Sequence, residues 1–161
     1  VEIAKRYPLF IKELLLCSPP FYQPEMTEKK GFVPTDDMLR QVYRFARQHP
    51  EQLEKIAPMA VKLGLANRAL NITKDNTASY VAALEASIIN QTSMKDIAKV
   101  KQPVTILYGA FDPVVIGKNI VALGKTQDNI TVKRLLTSHE IIGPYVGTVA
   151  KWIEDNAKAT N

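Results

Sequence analysis

Three short runs of aliphatic and β-branched residues, each separated from the next by helical patterning, constrain this chain more than any other feature. Residues 11–17 (Ile-Lys-Glu-Leu-Leu-Leu-Cys) end in unbroken hydrophobics, residues 104–108 read Val-Thr-Ile-Leu-Tyr, and residues 129–136 read Asn-Ile-Thr-Val-Lys-Arg-Leu-Leu. The first run suits a strand covered on both faces, as in a parallel sheet, the second reads as a strand from its β-branched residues, and the third is strand-like. The order is strand, about 80 mostly helical residues, strand, helix, strand, helix. Strands joined by helices pair in parallel through right-handed crossovers. The expected class is therefore α/β, with about three parallel strands, flanking helices and a long helical insertion.

Local signals place the helices. Val1, Ile3 and Ala4 have near-helical spacing, and Pro8 stops that segment. Thr35 can cap a helix whose first turn holds Asp36 and Asp37, with Leu39, Val42, Tyr43 and Ala46 on one face and His49-Pro50 at its end. The next helix spans residues 51–63 before Gly64, and Pro58 should kink or split it. A third covers residues 79–90, with Val81, Leu84 and Ile88 on one face, and residues 94–100 add a short turn. Helices over residues 116–123 and 145–156 flank the last strand. The closing one is expected to turn Val146, Val149, Trp152 and Ile153 inward.

Composition narrows the function classes. The net charge of +5 suggests nucleic acid, but it is spread thinly, and the longest basic runs are the pairs Lys5-Arg6, Lys29-Lys30 and Lys133-Arg134. Phosphate backbones are held by concentrated basic stripes, so no nucleic-acid partner is expected. A single cysteine, Cys17, excludes an internal disulfide framework and any cysteine-built zinc site. With only two histidines, in different segments, no metal site is expected, and no cofactor. No apolar run approaches the ~20 residues of a membrane span. No export signal is visible, so the expected compartment is the cytoplasm. The chain opens on Val1 rather than methionine and is expected to have been processed or cut from something longer.

Ligands of open α/β sheets bind beyond the carboxyl ends of the strands. Three polar segments fall there: Ser18-Pro19-Pro20, Gly109-Ala110-Phe111-Asp112-Pro113 and Thr137-Ser138-His139-Glu140. Asp112 and His139 lie one strand–helix–strand unit apart, so neighbouring parallel strands would bring them to one rim. A carboxylate there can orient an imidazole through one nitrogen and leave the other as a general base. The competing reading makes Asp112 a helix cap and His139 an incidental loop residue. Glu140 and Ser138, as chain neighbours of His139, point away from it. His49 and Cys17 read as structural, and nothing in the sequence marks Ser18 as activated.

These residues carry a resemblance. Glu2-Ile3-Ala4-Lys5-Arg6-Tyr7-Pro8 resembles the end of the helix after the nucleophile elbow of α/β-hydrolases. Leu14-Leu15-Leu16-Cys17-Ser18-Pro19-Pro20 resembles the following core strand. Residues 103–115, with Gly-x-x-Asp-Pro-Val, resemble the strand and turn bearing the triad acid, and Ser138-His139 resembles the histidine loop. The resemblance implies the C-terminal part of an α/β-hydrolase core at 1–20 and 101–161, with a helical cap at 21–100. It implies Asp112 and His139 as catalytic acid and base.

The family's Gly-x-Ser-x-Gly elbow is absent, since no serine here has a glycine two positions before it. The chain is then expected to be inactive alone, a fragment of a hydrolase, serine-dependent and acting on a small ester or acyl substrate; an aspartate as the missing nucleophile would imply epoxide or halide chemistry instead. A non-catalytic binding or assembly module that kept the fold is the alternative. The missing neighbour of the first strand leads us to expect self-association of the fragment.

Overall fold

A parallel sheet of order β1-β2-β3 organises the part of the chain that concerns function. The strands are β1 (Leu14–Cys17), β2 (Val104–Gly109) and β3 (Ile130–Leu135). Leu14 to Cys17 pair with Val104 to Leu107, and β2 pairs with β3 from Val104↔Ile130 to Gly109↔Leu135. The structure, a computed structural model, describes residues 1–22, 38–62, 71–112 and 114–158. The chain divides into two compact units, Val1–Gln23 with Thr92–Asn161, and Pro24–Gln91.

In the first unit β2 is the buried centre. Val104, Ile106 and Leu107 are almost wholly enclosed, which explains why its sequence lacks the alternation of a half-exposed strand. Helix α6 (Gly117–Thr126) connects β2 to β3 and sinks Ile120 and Leu123 into the core. Two short helices, α1 (Glu2–Arg6) and α5 (Ser93–Ile97), are joined through Asp96. That buried carboxylate accepts from the Thr92 hydroxyl at 2.6 Å and from the Lys5 and Lys99 ammonium groups, each at 3.1 Å. These donors, Thr92 foremost, hold its pKa far below the usual carboxylate range. Phe21, Ile97 and Val100 also enter this core, and Tyr22 is bound within the same unit. The sequence reading had grouped these residues with the helical insertion.

The closing helix α7 (Pro144–Lys158) buries a narrower stripe than its composition suggests. Tyr145 is fully enclosed, and Thr148, Val149, Trp152 and Asn156 are half-buried at three- and four-residue spacing. Val146 and Ile153, expected to face inward, are exposed by 57% and 55%. Each lies one residue, about 100° of helical rotation, past a member of that stripe.

The second unit contains α2 (Met38–Gln48), α3 (Pro50–Lys62) and α4 (Thr77–Leu84). Tyr43 and Ala46 of α2 are buried, as are Leu53 and Ala57 of α3. Of the two expectations for Pro58, a kink or a split, the split does not occur, and α3 runs through it. Pro58 itself is exposed and Glu54, whose carbonyl loses its helical donor, is only half-buried, so water can serve that carbonyl. Helix α4 widens into a π turn over Glu85–Ile89, where the Asn90 N–H reaches the Glu85 carbonyl five residues back. The expected cap at Thr35 and stop at Gly64 lie outside the described residues. His49 packs against the Phe45 ring, with centroids 5.2 Å apart.

Ile106, 0% exposed at the middle of β2, tests how far the sheet depends on this centre. Ile106→Ala is expected to cost about 2–5 kcal/mol, read as a lower urea midpoint at unchanged slope.

Candidate active site

Because β2 and β3 run parallel in register, both end at one rim, and the turns that follow are stitched together. The Ala110 N–H donates to the Leu135 carbonyl at 2.7 Å and the Phe111 N–H to the Thr137 carbonyl at 3.1 Å, extending the ladder past the strands. Gly109 makes this possible. A Cβ at that position would lie 2.4 Å from the Ser138 carbonyl oxygen and 2.5 Å from that of Thr137. The histidine loop thus rests directly on bare backbone.

Asp112 and His139 meet at this rim. His139 Nδ1 lies 2.9 Å from Asp112 Oδ2 and 3.1 Å from Oδ1. The Asp112 side chain is 0% exposed and that of His139 is 46% exposed. The carboxylate is further cradled by backbone, since Oδ1 accepts from the Val114 N–H at 2.8 Å and the Val115 N–H at 3.1 Å. Tyr22 secures this turn by donating to the Val114 carbonyl at 2.9 Å. The helix-cap reading of Asp112 does not hold, since α6 has Ile116 at its N-cap and no side-chain cap, and the Asp112 carboxylate serves its own turn and His139 instead.

Electrostatics fix the roles. Burial acts to raise the Asp112 pKa, but hydrogen bonds from His139, the Val114 N–H and Ser18 outweigh it, so the carboxyl stays ionised below its ordinary range. The His139 pKa is raised, first by its hydrogen bond to Asp112, against an opposing effect of burial; the charges of Asp112 and Glu140 add to the rise. An ionised carboxylate can only accept, so Nδ1 carries the hydrogen and the neutral ring keeps its lone pair on Nε2. The arrangement is that of an oriented general base.

Other residues of the rim have different places. Ser18, just past β1, has a left-handed backbone (φ 48°) and is 4% exposed. A serine on a sharp turn at a strand end has the backbone of a nucleophile, but its Oγ is enclosed and lies 2.5 Å from the Tyr145 hydroxyl. Sequence reasoning missed Tyr145 as part of this site, and no local signal marks it. Glu140 is exposed and acts on His139 only as a nearby charge. Ser138 contributes its carbonyl to the Gly109 contact. Burial raises the Cys17 thiol, which keeps it protonated and unreactive. Among the described residues no three His, Cys, Asp or Glu side chains gather as metal ligands, and no helix is long and apolar enough to cross a membrane.

No protein-family profile matches the chain, and no curated protein matches it. Solved structures do. A crystal structure of Bacillus megaterium epoxide hydrolase with an inhibitor aligns at TM-score 0.54 and 18% identity, covering 94% of this chain and 62% of that one. Two point variants of the same enzyme, one complexed with its product, align at TM-score 0.51 with 17% and 18% identity and the same coverage. The chain has part of an α/β-hydrolase fold. It spans 62% of the length of these structures. In the α/β-hydrolase fold so defined, the sheet unit of this chain supplies three parallel strands and the helices beside them.

Two outcomes follow from this geometry. Gly109→Ala is expected to destabilise the protein by about 1–3 kcal/mol, because its neighbours are backbone carbonyls, and to shift the His139 resonances in a ¹H–¹⁵N spectrum. His139→Gln should show the sign of the ion pair in urea unfolding series between about pH 5 and about pH 9. The stabilisation from a raised histidine is complete below its ordinary 6.5 and disappears as pH climbs through the raised folded value. The wild type should therefore lead the variant most near pH 5, by about 1 kcal/mol or less given the half-exposed ring, and the lead should shrink toward pH 9.

Proposed function

We propose that this chain carries the acid–base part of a hydrolase, with Asp112 as the orienting acid and His139 as the general base. The observation behind this reading is the Nδ1 contact of His139 with a fully enclosed, ionised Asp112 at the carboxyl rim of a parallel sheet. Asp112 holds the ring in the tautomer that leaves Nε2 basic and stabilises the imidazolium formed when it takes a proton. Residues 21–100 act as the helical cap of the longer protein, and its substrate is a small ester or acyl compound.

No nucleophile elbow occurs in the 161 residues, and we place the nucleophile elsewhere in the parent protein. If it is a serine, Nε2 removes its proton as the hydroxyl attacks the carbonyl, then returns that proton to the leaving group. The likeness to epoxide hydrolases favours a second reading, in which the nucleophile is an aspartate. A carboxylate needs no deprotonation to open an epoxide: its oxygen forms the ester bond as a ring C–O bond breaks, and the alkoxide so released takes a proton from water. His139 would then activate the water that cleaves the resulting ester.

The test compares this chain with its full-length parent on a chromogenic small-acyl ester and on an aryl epoxide. The chain alone should turn over neither. The parent should act on one of them, with His139→Gln losing about 10³-fold or more in kcat and Asp112→Asn about 10²–10⁴-fold. Activity on the epoxide alone would replace the ester reading with the second one. A parent inactive on both, or one indifferent to the two substitutions, would favour the non-catalytic module.

A further inference from the structure

The side of the sheet turned away from α6 carries a cleft that the acid–base reading does not use. A Cβ at Gly124 of α6 would lie 2.7 Å from the Val132 side chain, so α6 covers the Val132 face of β3. Successive strand residues point to opposite faces, which turns Lys133 to the other side. There, Lys133 of β3 and Gly147, Thr148, Lys151, Trp152 and Asp155 of α7 line a cavity of about 250 Å³, wholly within the sheet unit. The helical repeat explains the α7 members. Gly147, Lys151 and Asp155 form one row at four-residue spacing, and Thr148 and Trp152 form the row beside it. Neither Asp112 nor His139 lines this cleft.

Its residues have a common chemistry. Lys133 and Lys151 bring ammonium groups from a strand and a helix to one space, and neither makes an ion pair among the described residues. Trp152 is half-buried and shows the rest of its indole to the cleft. Gly147 is the least expected member. A glycine inside a helix costs stability relative to alanine, and a Cβ here would meet nothing within 4 Å. No packing among the described residues requires its bare backbone, which instead leaves the cleft open. Indole and bare helix backbone suit a flat ring, and the two ammonium groups suit an anionic group on that ring. Asp155, about 6 Å beyond Lys151 along the helix, can accept from a donor at the far side of the ring. The volume falls below the roughly 300–1,000 Å³ of sites for drug-sized ligands, so it admits a single substituted ring. A polyanion would need a longer basic stripe.

We propose that the cleft between β3 and α7 binds a small aromatic anion. The anionic group lies between Lys133 and Lys151, the ring lies over Gly147 and against Trp152, and a ring hydroxyl donates to Asp155. This site is separate from the acid–base pair, and neither depends on the other.

The test uses the chain as it stands, labelled with ¹⁵N, and 4-hydroxybenzoate as the probe. Trp152 is the single tryptophan, so one indole cross-peak reports on the cleft. That peak should shift saturably, with a midpoint on the order of 1 mM at low salt. Lys133→Gln and Lys151→Gln should each weaken binding about two- to fivefold, as for exposed ion pairs. The neutral 4-hydroxybenzamide should bind about tenfold more weakly than the acid, having lost both pairs. Gly147→Leu fills the open place and should abolish the shift, with a urea midpoint at or above that of the wild type. A shift that stays linear in the probe, is matched by the amide, survives both lysine substitutions unchanged or survives Gly147→Leu would overturn the proposal. If Gly147→Leu lowers the urea midpoint, the lysine variants and the amide decide. A response of the His139 ring in place of Trp152 would put the probe at the rim and overturn the cleft, leaving the acid–base reading intact.

Discussion

One buried negative charge organises this end of the molecule. An ionised carboxylate withdrawn from water is tolerated only when its oxygens are supplied with donors. Asp112 receives them from two backbone amides of its own turn and from the imidazole of the loop after the next strand. A local and a distant stretch of chain thus meet that demand together, and meeting it assembles the rim. The rest of the sheet unit is ordinary in comparison. A strand enclosed on both faces, a crossover helix and a polar stitch at Asp96 bring those stretches to one place.

The features legible in the sequence are those with a local cause. Runs rich in aliphatic and β-branched residues marked the strands of the described residues, and their spacing placed Asp112 and His139 at one rim, where they are found in contact. Less legible was anything decided by neighbours distant in the chain. Tyr145 and Ser18 are 127 positions apart, and neither carries a pattern that names the other. The inward face of α7 was assigned from apolar residues alone, and the helix instead turns on Tyr145 and Trp152 while Val146 and Ile153 stay outside.

The likeness to solved hydrolases bears on architecture and leaves the reaction open, since one fold hosts many chemistries. The Asp112–His139 pair, in the acid–base reading proposed above, would be common to several of them. An imidazole oriented by a carboxylate can deprotonate an alcohol or a water with equal facility, and the choice belongs to the group it faces. The identity of that group separates an ester hydrolase from an epoxide hydrolase far more sharply than anything within these residues.

The division of the chain has a consequence for how such a protein diversifies. Residues Pro24–Gln91 leave and rejoin the sheet unit between Gln23 and Thr92, and every described hydrogen bond of the Asp112 network lies within the remaining sequence. Selection can therefore lengthen, shorten or exchange that helical tract while the hydrogen-bonded rim around Asp112 keeps its form. The two units become separately variable parts of one chain.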